Sequence, residues 1–262
     1  MKNFNFKSAS NTKDAAKMNS GKATFLAGGM SLLPAIKLRL AAYSDLINIK
    51  KIKALSGIKV SSKSIRIGAT TTHAEVASSK EVSKTIPSLA SLADGIGDPQ
   101  VRNRGTIGGS IANNDPAADY PSACLALNAT IHTNKRKIQA DKFFKGMFET
   151  DLKKGELIES IEFEVPEKSS YSKFPNPASR YAIVGVYVSK IKNGVRVAIT
   201  GAGSNGVFRS KELESALSDN FSSSSVDKCN IPSKGLNSDI HASADYRAHM
   251  IKAMARKAVS SC

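Results

Sequence analysis

Gly97-Asp-Pro-Gln-Val-Arg-Asn-Arg-Gly-Thr-Ile-Gly-Gly-Ser-Ile-Ala-Asn-Asn-Asp-Pro116 is the longest glycine-bearing motif in this 262-residue chain and the most informative. Its Gly108-Gly109 pair stands between the hydroxyls of Thr106 and Ser110. A second pair with the same grammar lies upstream in Phe25-Leu-Ala-Gly-Gly-Met-Ser-Leu-Leu-Pro34, where Gly28-Gly29 precedes Ser31. Paired glycines let a backbone turn with its amides outward and remove side chains that would hold a bulky anion away, so both loops suit a pyrophosphate. They equally suit tight turns that need positive φ, and the pairs alone do not separate the two readings. Neither loop is a GxGxxG within a βαβ unit, nor a GxxxxGK followed by Ser or Thr, so Rossmann and P-loop folds have no support.

Around these loops the chain alternates strand and helix signals. Ile58 with Val60, then Ile65 with Ile67, alternate with polar residues and predict two strands joined by a polar turn. Residues 72–79 read as a helix capped by Thr72, with Glu75 three positions on, and residues 86–96 as a second helix opened by Pro87. Strands are expected over 125–132, 137–140 and 157–165, the last with Ile158, Ile161, Phe163 and Val165 on its apolar side. The Ser-, Lys- and Pro-rich run 167–177 has loop composition and is placed as a domain boundary. Beyond it, residues 183–188 and 195–199 predict a hairpin around Asn193-Gly194, and 222–225 a serine linker. Residues 244–259 predict a helix with Tyr246, Met250, Met254 and Ala258 as its core stripe.

Composition excludes several classes. Hydrophobic residues at 41% and charged ones at 23% are ordinary for a packed globular protein. There is no apolar run of the roughly 18 residues that a membrane-spanning helix requires and no apolar signal core near the N-terminus, so the cytoplasm is the default location. Cys124, Cys229 and Cys262 match no metal or redox spacing. The net charge of +16 is compatible with nucleic acid, an anionic membrane or acidic partners. Its lysines are dispersed, however, with no groove-reading motif, so no specific nucleic-acid function is expected. The four histidines match no metal spacing either.

Taken as text, the two loops closely resemble the FAD-binding medium subunits of the molybdenum hydroxylase (xanthine dehydrogenase / carbon monoxide dehydrogenase) family, especially the carbon monoxide dehydrogenase type. Ala27-Gly-Gly-Met-Ser31 corresponds to that family's Ala-Gly-Gly-x-Ser element. The likeness continues through Asp115-Pro-Ala-Ala-Asp-Tyr-Pro121, Lys173-Phe174, Ala178-Ser-Arg-Tyr-Ala-Ile-Val-Gly185, Ala198-Ile-Thr-Gly-Ala-Gly203 and His241-Ala-Ser-Ala-Asp-Tyr-Arg247, nearly the whole chain. Met30 and Ser110 depart from it, where relatives often carry a polar residue and Asn or Asp.

The resemblance implies an α+β protein: a two-part vanillyl-alcohol-oxidase-like (PCMH-type) FAD-binding domain over 1–166, with subparts about 1–53 and 54–166. A small α+β C-terminal domain with a three-stranded antiparallel sheet would follow over 167–262. It implies that Ala27, Gly28, Gly29, Met30 and Ser31, with Thr106, Ile107, Gly108, Gly109 and Ser110, wrap the diphosphate and ribityl of a non-covalent FAD, chiefly through backbone amides. Asp119 would bond ribityl hydroxyls, against the rival reading of a loop or capping carboxylate. Lys173 and Tyr181 would lie near the isoalloxazine, against solvated-loop and core readings. Arg102 and Arg104 are compatible with either phosphate or a partner subunit. The implied partners are a large molybdopterin-binding subunit and a small [2Fe–2S] subunit, as a dimer of heterotrimers, with electrons passed to quinone, NAD or oxygen. The alternatives are a stand-alone flavin oxidase or dehydrogenase, and a basic nucleic-acid-binding or scaffold protein.

Overall fold

The computed structural model describes residues 2–262. The chain opens with β1 (Asn5–Ser8), α1 (Thr12–Met18), β2 (Ala23–Leu26), α2 (Leu32–Lys37) and β3 (Asp45–Asn48), which form a parallel sheet in the order β1-β3-β2. Parallel neighbours need crossovers, and α1 and α2 supply them. The Asn11 side chain accepts from the amide of Asp14 at 2.9 Å and fixes where α1 starts. Ala15, Ile47, Ile49, Ile52, Leu55 and Leu157 form a small core beneath this sheet.

The two expected strands are present as β4 (Ile58–Val60) and β5 (Ser64–Gly68). Six short helices follow: α3 (His73–Ser78), α4 (Lys80–Thr85), α5 (Pro87–Asp94), α6 (Pro99–Arg104), α7 (Ile107–Asn113) and α8 (Tyr120–Ala126). The capping box at Thr72 is formed, with Glu75 Oε2 accepting from the Thr72 amide at 2.6 Å and Thr72 Oγ1 from the Glu75 amide at 3.2 Å. Leu125 and Ala126, read as the start of a strand, instead close α8, and only β6 (Thr130–Thr133) is extended. Apolar runs this short fit a buried helix as well as a strand. Then come β7 (Lys137–Gln139), α9 (Ala140–Phe143), the hairpin β8 (Phe144–Gly146) and β9 (Glu149–Thr150), and β10 (Ile158–Glu164). The sheet order is β4-β5-β10-β6-β7, antiparallel throughout. Ile158 and Ile161 sit an odd number apart yet are both buried, because a bulge shifts the register between Ile158 and Ser160.

The run 167–177 is not a loop. Residues Lys168–Pro175 form β11, paired antiparallel to β12 (Ala182–Ile191) in a sheet completed by β13 (Gly194–Thr200) and the two-residue β14 (Phe208–Arg209). This is the expected antiparallel C-terminal sheet with one short extra strand. β12 is buried on both faces: Val184, Val186 and Val188 enter the C-terminal core, and Tyr187 enters the main core under the five-stranded sheet. Opposite them, Ser170 and Ser172 lie across from Val188 and Val186, and Tyr171 across from Tyr187. The small serines are buried on the face covered by the C-terminal helix, so their polarity did not mark a loop.

The remaining elements are α10 (Lys211–Asp219), α11 (Ser223–Asp227) and α12 (Ala244–Ser260). Residues 222–225 thus begin a short helix instead of a linker, with Ser225 and Val226 buried. The tail helix forms as expected, but its buried face is Arg247, Ala248, Ile251, Ala255, Ala258 and Val259. Tyr246 is 44% exposed and Met250 and Met254 only flank the core, so the face is rotated by about one position from the predicted stripe. Arg247 shifts it: its guanidinium pairs with Asp239 at 2.7 Å and donates to the Gly201 carbonyl at 3.1 Å.

Candidate functional site

A cleft of about 630 Å³ runs between the two glycine loops. Its first wall is the turn leaving β2. The amides of residues 28–31 meet no acceptor within the protein among the described residues, and the Ser31 hydroxyl, at the head of α2, caps nothing. Gly29 holds φ at +78°, which turns the chain. A Cβ on Gly28 would collide with the Arg104 carbonyl oxygen and approach Gly105 Cα to 2.8 Å, so glycine here lets the two loops touch. Met30, 38% exposed, is on the rim.

The second wall is stapled to the segment between β5 and α3. The His73 amide donates to Gly105 at 3.0 Å, the Ile107 amide to Thr71 at 3.1 Å and the Gly108 amide to Ala69 at 2.9 Å. The Gly109 amide is taken by Thr106 Oγ1 at 3.1 Å and the Ser110 amide by the Thr106 carbonyl at 2.9 Å. Successive free amides therefore belong to the first loop alone. What the second loop offers is a bare surface at Gly109, where a Cβ would meet only Thr106 Oγ1 within 4 Å, and the Ser110 hydroxyl beside it. Gly108 is a packing glycine, since a Cβ would lie 2.5 Å from Ala69 Cβ. Ile107 is fully buried and does not line the cleft.

Asp119 lines the cleft and is 4% exposed. One carboxylate oxygen accepts from the Tyr171 hydroxyl, the other from Lys173 Nζ at 3.1 Å. Burial raises its pKa, while Lys173 and the Tyr171 hydrogen bond oppose the rise. β11 aims both partners from one face, two residues apart. Gly185 on β12 leaves the space that the Tyr171 hydroxyl fills. Lys173 also donates to the Gly95 carbonyl at 2.8 Å and lies outside the cleft lining. Tyr181, 47% exposed, lines it directly. Of the 13 residues expected at the site, only Ile107 and Lys173 lie off the cleft surface.

Arg180, Asp115 and His73 also line the cleft, with no role assigned from sequence. Arg180, in left-handed backbone at φ 61°, donates to the Gly97 carbonyl at 3.1 Å, and Asp115 lies nearby with a pKa raised by burial. Both fall inside family-like segments. His73 is 5% exposed and stays neutral: burial, then Arg102, lowers its pKa to about 4, and its Nδ1 has no partner. Arg102 turns inward, donating to the carbonyls of Ile96 and Gly97 at 3.1 Å each. No group of metal-ligating side chains and no helix able to cross a membrane occurs among the described residues.

Residues 2–167, both glycine loops included, match the family model for the FAD binding domain in molybdopterin dehydrogenase. The chain belongs to that family. This FAD-binding oxidoreductase chain is 34% identical to the glyceraldehyde dehydrogenase medium chain of Sulfolobus acidocaldarius, over 97% of its own length and 96% of the relative's. It is 33% identical to the carbon monoxide dehydrogenase medium chain of Hydrogenophaga pseudoflava, over 91% and 88%. The fold superposes on carbon monoxide dehydrogenase from Oligotropha carboxidovorans with a TM-score of 0.92 at 27% identity, covering 99% of this chain and 97% of that one. The cleft fits the cofactor named by the family: its volume is in the roughly 300–1,000 Å³ range of ligand sites, four amides lack acceptors, and Gly109 presents no side chain.

Proposed function

We propose that this chain is the FAD-carrying, electron-transferring subunit of a molybdenum hydroxylase complex of carbon monoxide dehydrogenase type. Residues 1–166, with subparts about 1–53 and 54–166, would form the FAD unit and 167–262 the C-terminal domain. The observation that carries the site assignment is the run of unpartnered amides over 28–31 facing the bare surface of Gly109 across one cleft. An anionic diphosphate supplies the acceptors those amides lack. Ser31, Ser110 and Thr106 flank it, with Ala27 and Met30 at the rim.

When bound, FAD interconverts one- and two-electron traffic, and the protein supplies placement and tuning. Asp119 acts as an anchor at the far end: it holds Tyr171 and Lys173 in place and keeps lone pairs for ribityl hydroxyls. Lys173, paired with that carboxylate, would lend positive charge to the isoalloxazine end, and Tyr181 would supply an aromatic surface for the ring. The cofactor is held non-covalently. Among the described residues His73 is the one histidine lining the cleft, its ring is walled in beside Gly105, and no cysteine lines it.

Electrons would arrive from a small [2Fe–2S] subunit, fed by a large molybdopterin-binding subunit, in a dimer of heterotrimers, and leave to quinone, NAD or oxygen. The three free cysteines, far from clustered, fit clusters housed on another chain and a reducing, cytoplasmic setting, at the inner membrane face through the complex. The test is co-expression with a large molybdopterin-binding chain and a small iron–sulfur chain: the three should copurify, and substrate should bleach the flavin only in the full complex. A chain that bleaches by itself with a small-molecule substrate would make it a stand-alone flavoenzyme.

A further inference from the structure

Two carboxylates line the cleft four residues apart, in unlike surroundings. Asp119 is compensated: Lys173 pairs with one oxygen at 3.1 Å and the Tyr171 hydroxyl donates to the other. Asp115, half-buried, forms no ion pair among the described residues. Its Oδ1 accepts from the Ala117 amide at 2.9 Å, and its Oδ2 has no protein donor among the described residues. The loop that carries both is fixed from behind. The Gly201 amide and the Thr200 hydroxyl donate to the Pro116 carbonyl at 2.8 and 3.1 Å, and the same hydroxyl lies 2.7 Å from the Ala118 carbonyl.

The charged groups on the elements packed around this loop are committed elsewhere. Arg180 donates to the Gly97 carbonyl at 3.1 Å, and Arg247, behind Gly201, pairs with Asp239 at 2.7 Å. On the β8–β9 hairpin, Lys145 reaches Asp151 at 3.8 Å and Glu149 is exposed. Tyr181 shares the cleft wall, and burial, then the charges of Asp115 and Asp119, raises the pKa of its hydroxyl. Asp115 therefore stands at the Tyr181 end of the cleft. A carboxyl partly withdrawn from water with no cation beside it keeps its proton to higher pH than a free one. Burial does raise the pKa of Asp115, opposed only by the Ala117 amide. A flat ring seated in the cleft would exclude more water, and negative charge arriving on that ring would add to the rise. Two carboxylates whose environments separate them in this way divide the work: one is a fixed, paired charge and the other carries a proton.

We propose that Asp115 is the proton carrier of the flavin site, giving a proton to the ring as electrons arrive and taking it back as they leave. This rests on the FAD reading given under the proposed function. In the forward direction two electrons reach the ring from the iron–sulfur chain, the carboxyl O–H bond breaks and an N–H bond forms on the ring. The carboxylate left behind regains its proton when an acceptor withdraws the two electrons and the ring gives up that N–H. Asp119, held by Lys173 and Tyr171, stays ionised throughout.

The test is Asp115→Asn, whose side-chain carbonyl still accepts from the Ala117 amide but which holds no titratable proton. The FAD-loaded chain is reduced with dithionite in a stopped-flow spectrometer from mildly acidic to neutral pH, in H2O and in D2O. The parent rate should fall as pH rises through the Asp115 pKa, because only the protonated carboxyl donates, and should show a solvent isotope effect. In D115N the rate at the acid end should drop at least about tenfold and lose both the pH dependence and the isotope effect, with FAD affinity unchanged. In the unloaded chain the Asp115 carboxyl carbon, followed by NMR, should titrate above the ordinary value of about 3.9. Parallel pH–rate profiles for parent and D115N, or a carboxyl that titrates at or below that value, would overturn the proposal. So would a D115N chain that loses FAD, which would make Asp115 a binding group, or an Asp119→Asn chain that alone reproduces the flattened profile. A parent chain that takes up no FAD sinks the flavin reading and this proposal with it, whereas a loaded chain indifferent to D115N sinks only the proposal.

Discussion

Two adjacent glycines in the second loop have opposite duties. A Cβ on Gly108 would lie 2.5 Å from the Ala69 Cβ and 2.7 Å from its carbonyl oxygen, so Gly108→Ala should cost about 1–3 kcal/mol of fold stability through overpacking. Gly109→Val meets only the Thr106 hydroxyl and fills the cleft instead. A Cβ there would lie 2.8 Å from the capping Thr106 Oγ1, so Gly109→Val should cost up to about 1 kcal/mol of stability through that cap, while its FAD content should drop at least about tenfold. A soluble Gly109→Val protein with full flavin would remove Gly109 from the site. His73 gives a pH signature. Its pKa is lowered to about 4 from an ordinary 6.5, so the unfolded chain binds the proton first as pH falls. The stability it lends is intact above about 6.5 and lost between 6.5 and 4, on the order of 3 kcal/mol in all. His73→Gln should flatten the chemical-denaturation profile across that window relative to the parent, and parallel profiles would refute the neutral buried imidazole. Of these roles the sequence showed the glycine pairs as candidates, but it did not show which pair keeps its amides free. That depends on the Ala69–His73 backbone lying alongside residues 105–108, a long-range pairing that no local pattern encodes.

At the scale of elements, local chemistry was readable wherever the signal is local. The Thr72 capping box, Pro87 at the head of α5, and the β4–β5 and β12–β13 hairpins all formed as expected, with Gly194 at φ +118° in the turn. The misses share a physical cause: tertiary packing overrode composition. β11 looks like a loop because its inward residues are serines, yet it is an edge strand whose other face delivers Tyr171 and Lys173 to Asp119. The predicted stripe of α12 leaves out Arg247, whose side chain is buried at 3% exposure and ties the helix to the carbonyls of Ile183 and Gly201. Arg247→Ala would leave the buried carbonyls of Ile183 and Gly201 without their donor, while Asp239, 43% exposed, returns to solvent, so it should destabilise the chain by about 1–3 kcal/mol. Tyr246→Ala, on the half-exposed flank, should cost under about 1 kcal/mol. Calorimetric or denaturant midpoints that rank the two the other way would restore the Tyr and Met stripe as the core face.

The whole molecule is a cleft set between a small cationic parallel-sheet lobe and a larger antiparallel one, backed by a C-terminal sheet whose central strand is shared by two cores. That arrangement explains why so much of the site was legible in sequence text and so little in composition. The net charge of +16 says nothing about the cleft, and half of it lies on residues 1–53. The account rests on one cofactor held in one place without a covalent bond. The most direct measurement is the visible spectrum of the purified chain before and after acid precipitation. A flavin absorbance that passes quantitatively into the supernatant as FAD, at about one equivalent per chain, is the predicted result. A colourless chain that takes up no added FAD, or a yellow colour that stays with the precipitate, would contradict it.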